Sequence, residues 1–231
     1  MLRESLKAFA LKHNKLLNLY RKTFGKIKTK YYFGAQKKAL QKKGYNLIDR
    51  INDVLNKEGA KSFIDCGTLL GMIRDKKLLE HDRDMDFGIY FDDSFTIRSL
   101  DEAMKSIGMK KHREFVFRGD VKEASYSNGI INVDFFKHEE SKEFSDIYVF
   151  YRKKGVIYPS NKHYTTLIMH RAHIPSIETI DVKGQVLNVP SNYEEYLETA
   201  YSKNWRIPDP EWRYLMEPGL EEIKGEYGIC Q

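Results

Sequence analysis

The run from Phe63 to Asp93, FIDCGTLLGMIRDKKLLEHDRDMDFGIYFDD, limits most tightly what this chain can fold into. From Asp84 to Tyr90 apolar and polar residues alternate. Met85, Phe87 and Ile89 fall on one face and Asp84, Asp86 and Gly88 on the other, the pattern of a strand buried on one side. Side chains two apart point the same way, so Asp84 and Asp86 project together with Cα atoms about 6.5–7 Å apart. Two carboxylates aimed at one point repel each other, which argues against a purely stabilising role and for a shared divalent cation. Ahead of them Phe63-Ile64 reads as a short buried strand that breaks at Cys66-Gly67-Thr68. Leu69, Leu70 and Ile73 then carry helical spacing, so a short helix is expected over 68–75. Free N–H groups at a helix start hold phosphate, and Gly67 lets a ligand approach the backbone closely.

The block sits in a chain of 231 residues, enough for one domain with a sizeable core and an appended segment. Aromatic residues at 13% place it among globular rather than disordered chains. Cys66 and Cys230 are too few and too far apart for a disulfide framework, and a reducing, cytoplasmic setting is expected. No run approaches the roughly 20 apolar residues of a membrane span, and no apolar core with a cleavage site marks a signal peptide.

The net charge of +6 hides a division: residues 1–43 hold 13 basic groups against Glu4 alone, whereas the other 188 residues hold 26 basic and 32 acidic. The expected organisation is therefore a basic amphipathic helical segment over 1–43 and a catalytic domain over 44–231. Leu2, Leu6, Phe9, Leu16, Leu17, Tyr20 and Phe24 form one helical stripe with lysines around it. Such a helix lies on an anionic membrane surface or packs on the protein's own core or a second subunit. Peripheral membrane contact through residues 1–30 is one expectation. Nucleic acid is not expected as a partner, because no reader motif accompanies the charge.

Downstream, helices are expected over 37–57 and 96–107, and strands over 114–118, 122–127, 129–137 and 144–151. Asn128-Gly129 is the strongest hairpin signal, and 177–182 with 185–189 reads as a second hairpin. Ser191 with Glu194 has capping-box spacing for a helix bearing Tyr193, Tyr196, Leu197 and Ala200, followed by a packed Trp205. This mixture gives an α/β (α+β) fold. His163, His170 and His173 match no zinc spacing. His81-Asp82 lacks the further His and Asp of an HD-type phosphohydrolase. Asp134 stands opposite Val133 and Phe135 in its strand, a position that usually means a cap or a salt bridge.

Gly67-Thr68, Gly71, Arg74 and Asp84-x-Asp86 followed by Gly88 resemble the LicD/fukutin family of the nucleotidyltransferase-like superfamily. A second block, VPSNYEEYLETAYSKNWRIPDP, resembles that family's C-terminal pattern of Pro, a Tyr-Leu-Glu helix, and Trp followed by Pro. The likeness runs from about residue 45 to residue 212. It departs at Glu80-His81, where the family has Pro and an aromatic, and at Arg83, where the phosphocholine enzymes have another Asp.

The resemblance implies a nucleotidyltransferase-like mixed sheet flanked by helices, with Asp134 as the third carboxylate. It implies Mg²⁺ or Mn²⁺ on Asp84, Asp86 and Asp134, and donor phosphates held by Gly67, Thr68 and Arg74. The implied reaction moves ribitol phosphate, glycerol phosphate or phosphocholine from a CDP-activated donor to a sugar hydroxyl, releasing CMP. The implied acceptor is a surface glycan, lipid-linked, which sets the reaction at the inner face of a membrane. Two alternatives stand beside it: a true nucleotidyltransferase releasing pyrophosphate, and a non-catalytic glycan- or nucleotide-binding protein.

Overall fold

A computed structural model describes residues 26–231; the stripe expected over residues 2–24 lies outside them. Helix α1 spans Lys26–Lys57. It crosses the expected 43/44 division without a break, and Leu40, Leu47, Ile48, Ile51 and Leu55 bury one side of it. Strand β1 (Ser62–Ile64) leads into helix α2 (Cys66–Leu70), which tightens into a π turn over Gly71–Asp75. After β2 (Asp84–Ile89), helix α3 (Ile97–Ser106) starts in a capping box formed by Thr96 and Ser99.

Strands β3 (Lys110–Phe117), β4 (Asp120–Ser127), β5 (Asn132–Lys137), β6 (Glu139–Glu140), β7 (Phe144–Tyr151) and β8 (His163–Ala172) follow. The hairpin β9 (Ile177–Val182) and β10 (Gln185–Pro190) forms a separate two-stranded sheet. Helix α4 (Tyr193–Tyr201), a 3₁₀ turn at Tyr214–Met216 and strand β11 (Leu220–Cys230) complete the chain. Among the described residues no helix is long and apolar enough to cross a membrane.

The main sheet is mixed, in the order β1-β2-β5-β4-β3-β11-β8-β7-β6, with β2 and β5 its parallel pair. It curls on itself. Phe117 of β3 packs its ring 5.6 Å from Tyr148 of β7, although β11 and β8 separate these strands in the ladder. Lys122 of β4 reaches Glu139 of β6. One face of β2, β5 and β4 carries Met85, Phe87, Val133, Phe135, Ala124 and Tyr126 into the main core beneath α1 and α3. Each fully buried side chain of this size contributes about 1.5–3 kcal/mol. On the other face of β5 Phe136 clusters with Ile147 and Met169, and Asp134 shares that face of β5 with Asp86 beside it on β2.

Helix α1 starts at Lys26 rather than residue 37, β3 at Lys110 rather than 114 and β5 at Asn132 rather than 129, and three further differences bear on the site and the sheet. Helix α2 starts at Cys66, ahead of the expected Thr68, because buried Asp65 caps it by accepting the Cys66 N–H at 2.6 Å. The Ser191–Glu194 capping box does not form: Asn192 is the cap residue of α4, and its Nδ2 donates to Glu195 at 3.2 Å. Strands β8 and β11 lie where the sequence pattern predicts no strand, and they join β3 to β7 in the sheet.

Candidate active site

The acidic site is built where β1, α2, β2 and β5 meet. The parallel register sets Asp86 opposite Asp134 and Asp84 opposite Asn132. On the far side of β5, Asp134 faces Ser125 of β4, and Ser125 faces Arg113 of β3. Asp86, Asp134, Ser125 and Arg113 therefore form one row across four strands. Adjacent strands lie about 4.8 Å apart, which brings neighbouring side chains of the row within reach of each other.

Gly67 adjoins this row. A Cβ there would stand 2.8 Å from Asp82 Oδ2 and in ordinary contact, 3.7 Å, with Asp86 Oδ2, so any other residue would push the Asp82 carboxylate aside. Thr68 is buried, and its hydroxyl accepts the Asp86 N–H at 2.9 Å, clipping α2 to β2. Arg74 forms a two-pronged pair with its neighbour Asp75, at 2.8 and 2.9 Å. The structure thus brings Gly67, Thr68, Asp84, Asp86 and Asp134 together, and commits the Arg74 guanidinium to Asp75.

Electrostatics follow from burial and like charge. Burial, then the charges of Asp84, Asp134 and Asp82, hold the Asp86 carboxyl well above the usual range. Burial raises Asp134 as well, against the opposing pull of the Ser125 hydroxyl and Arg113. Asp82 is pushed up to about 6, chiefly by burial and further by Asp84. Glu123, buried beside Asp134, is pushed up to about 8 although Arg113 opposes the shift.

Asp134 Oδ1 is buried without a hydrogen-bond partner. An orphaned buried acceptor costs roughly 1–3 kcal/mol unless a ligand satisfies it. A crowded set of carboxylate oxygens with an orphan among them fits a hard divalent cation such as Mg²⁺ or Mn²⁺. Among the described residues no three His, Cys, Asp or Glu side chains are already drawn into a metal-holding group, so such an ion would have to draw the carboxylates in.

Behind the row lies a buried polar hub that the sequence did not disclose. Arg171 of β8 donates to Asp65 Oδ1 at 2.9 Å, to Glu217 Oε1 at 2.8 Å and to the Tyr196 hydroxyl at 2.8 Å. Tyr196 donates in turn to Asp65, and His138 bridges Asp65 and Ser145. The Arg171 charge and the His138 and Cys66 hydrogen bonds outweigh burial and hold Asp65 well below the usual carboxylate range. The three downstream histidines go to separate partners: His163 to Ser160, His170 to Asp146 and His173 to Glu140.

Asp82 was within reach of the sequence, since 82, 84 and 86 continue one i, i+2 series. Arg113, Glu123 and Ser125 were not, because only the β3–β4–β5 register brings them to Asp134.

A mixed sheet whose parallel pair sets an Asp-x-Asp in register with a third carboxylate defines a domain of nucleotidyltransferase type. Residues 59–192 match the model of the LicD/FKTN/FKRP nucleotidyltransferase domain, and the chain belongs to that family. Among curated relatives, ribitol-5-phosphate transferase FKTN of Homo sapiens is 24% identical over 198 residues, 84% of this chain and 40% of the relative. Its counterpart from Macaca fascicularis is 25% identical over the same shares. An uncharacterized protein, RT0683 of Rickettsia typhi, is 30% identical over 42% of this chain and 32% of its own length. The chain thus spans about 40% of the length of the curated transferases it matches. Among solved structures, the antibiotic-resistance factor ANT(2'')-Ia aligns over 75% of this chain and 78% of its own, at 12% identity and a TM-score of 0.44. That likeness is too loose to add to the family match.

Proposed function

We propose that this domain is a metal-dependent phosphotransferase that moves a phosphorylated alcohol from a CDP-activated donor to a sugar hydroxyl, with release of CMP. The observation that carries this reading is the row in which Asp86 faces Asp134 across a parallel pair, with Asp134 Oδ1 buried and unpartnered. The curated relatives named ribitol-5-phosphate transferase make ribitol phosphate the first group to test.

Asp84, Asp86 and Asp134 would hold Mg²⁺ or Mn²⁺, which when bound offsets charge on the attacking and leaving oxygens of an in-line displacement. The acceptor hydroxyl oxygen bonds to the phosphorus of the alcohol phosphate, and the bond from that phosphorus to the CMP oxygen breaks. CMP leaves with the electron pair. Asp134, set opposite Asp86 by the β2–β5 register, takes the hydroxyl proton. Gly67 leaves room for the donor beside Asp82 and Asp86, and Thr68, whose hydroxyl oxygen accepts the Asp86 N–H, would hold the donor phosphate with Gly67. Arg74 acts at the donor only if it exchanges Asp75 for a phosphate. The acceptor belongs to the same proposal: a lipid-linked glycan, met at a membrane face through residues 1–30. Vesicles bearing anionic lipid would retain the full chain and release a version lacking residues 1–30.

The deciding experiment is CMP release from CDP-ribitol, CDP-glycerol and CDP-choline with Mg²⁺, wild type beside Asp86→Asn. Slow hydrolysis of one donor, abolished in the variant, supports the reading and names the donor. Pyrophosphate released from a nucleoside triphosphate would favour the second reading, attack at the α-phosphorus, to which the description of the matched domain as a nucleotidyltransferase lends weight. Absence of both turnover and metal-dependent nucleotide binding would leave a non-catalytic domain.

A further inference from the structure

The row does not end at its carboxylates; its fourth member is a cation, and β3 is deformed to put it there. Lys111 pairs with Tyr126, but the next pair is Arg113 with Ser125. In a regular ladder His112 would face Ser125. The extra residue makes a bulge that moves Arg113 into the row and leaves His112 exposed at the kink. Bulges of this kind re-aim side chains beside functional sites.

Arg113 Nη2 donates to Glu123 Oε1 at 2.8 Å and to Ser125 Oγ at 3.0 Å, and it stands 3.8 Å from Asp134 Oδ1. The guanidinium carbon lies 5.1 Å over the Phe115 ring. These contacts fix the fork without using all of it. Nε is buried and has no partner, and the side chain as a whole remains 38% exposed. A residue present only to neutralise Glu123 would have no reason to leave Nε without a partner while its Nη2 stands 3.8 Å from Asp134 Oδ1, which also lacks one.

An incoming diphosphate adds negative charge to a site that already holds Asp82, Asp84, Asp86, Asp134 and Glu123. Arginine's planar fork suits the oxygens of a phosphate, and a lysine in its place would supply charge without that geometry. We propose that Arg113 is a phosphate-binding residue of this site, held in position by Glu123 and Ser125, whose free N–H groups grip the phosphoryl oxygens of the anionic donor. The inference rests on the phosphotransferase reading for the donor's identity, but not for the phosphate contact itself.

Two measurements separate those claims. The first is calorimetric binding of inorganic pyrophosphate in Mg²⁺ to wild type, Arg113→Gln, Arg113→Lys, Glu123→Gln and the Arg113→Gln/Glu123→Gln double variant. The second is CMP release from CDP-ribitol by the same five proteins. Loss of a charged hydrogen-bond donor to phosphate weakens binding by roughly 10- to 100-fold. That loss is expected in Arg113→Gln, is expected to be smaller in Arg113→Lys, and is expected to persist in the double variant. In turnover it appears as a raised donor KM together with a lowered kcat.

Recovery of wild-type binding in the double variant would overturn the proposal, because Arg113 would then only neutralise Glu123. Unchanged binding in Arg113→Gln, or no pyrophosphate binding by wild type, would overturn it too. Arg113-dependent pyrophosphate binding without CMP release from any CDP-alcohol would uphold the phosphate contact and reject the donor. Should Arg113→Gln fail to fold, Arg113→Lys keeps the charge and decides the question through its binding constant.

Discussion

Asp86 shows how far the site is held from its electrostatic optimum. Its carboxyl is raised by burial and by three neighbouring aspartates, while Asp82 sits at about 6 and Glu123 at about 8. All three folded-state values lie above those of an unfolded chain. Their stabilising contribution is therefore complete below the ordinary carboxylate range and is lost as pH rises through 6 and 8. Asp65 is shifted the other way, and its contribution is lost only on acidification below pH 4, outside that window. In chelator, stability is expected to fall by roughly 3–4 kcal/mol between pH 5.5 and 8, read as a falling melting temperature. Mg²⁺ is expected to restore it at pH 8. Asp86→Asn should melt above wild type in chelator at pH 8 and gain nothing from Mg²⁺. A flat profile, or an Asp86→Asn protein that melts below wild type there, would show that the carboxylates are not crowded as described. The Asp-x-Asp pair was legible because strand alternation is local, whereas Glu123 and Arg113 reach the site through pairings that no single window of sequence displays.

At the scale of elements, α2 and the π turn after it act as a bracket for β2. Asp65 caps the bracket, and the Thr68 hydroxyl takes the Asp86 N–H. The turn ends on Lys76 in the left-handed region, at φ 55°, and Gly71 keeps clear of the Lys77 carbonyl, which an added Cβ would approach to 2.7 Å. π turns cost helical hydrogen-bond geometry and occur mostly at functional sites. Helical spacing foretells a helix here, and the structure starts it two residues before Thr68 because Asp65 caps it at Cys66. Thr68→Val keeps the volume and removes the acceptor. It is expected to destabilise by about 1–3 kcal/mol through the stranded Asp86 N–H, and to lower kcat more than it raises donor KM. Thr68→Ser restores the acceptor and should recover both. Urea unfolding together with CMP-release kinetics on the two variants checks this, and loss of rate in Thr68→Ser equal to that in Thr68→Val would remove the bracket role.

Across the whole molecule, the sheet is closed by residues far apart in sequence. Arg171 on β8 joins Asp65 at the β1–α2 junction, Glu217 ahead of β11 and Tyr196 on α4. This part of the fold was the least legible. Strand β11 contains Gly225 and Gly228 and shifts register between Ile223 and Tyr227, so its alternation is broken where it pairs with β8. In β8 the polar and apolar residues do not alternate cleanly, because both of its faces are partly covered. Each strand is stabilised by partners that only the assembled sheet supplies. Arg171 is 2% exposed and its two carboxylate partners are as deeply buried, so removing its charge strands both. Breaking a buried ion pair from one side costs about 3–5 kcal/mol, whereas replacing all its members with apolar residues can be neutral. Arg171→Met is therefore expected to lower the melting temperature by roughly 10 °C. Adding Glu217→Gln should recover part of that loss, since one stranded charge is then gone. Because Asp65 also caps α2, the single variant should lose Mg²⁺-induced stabilisation along with fold stability. An Arg171→Met protein that melts with wild type and still responds to Mg²⁺ would mean that the hub neither closes the sheet nor supports the acidic row.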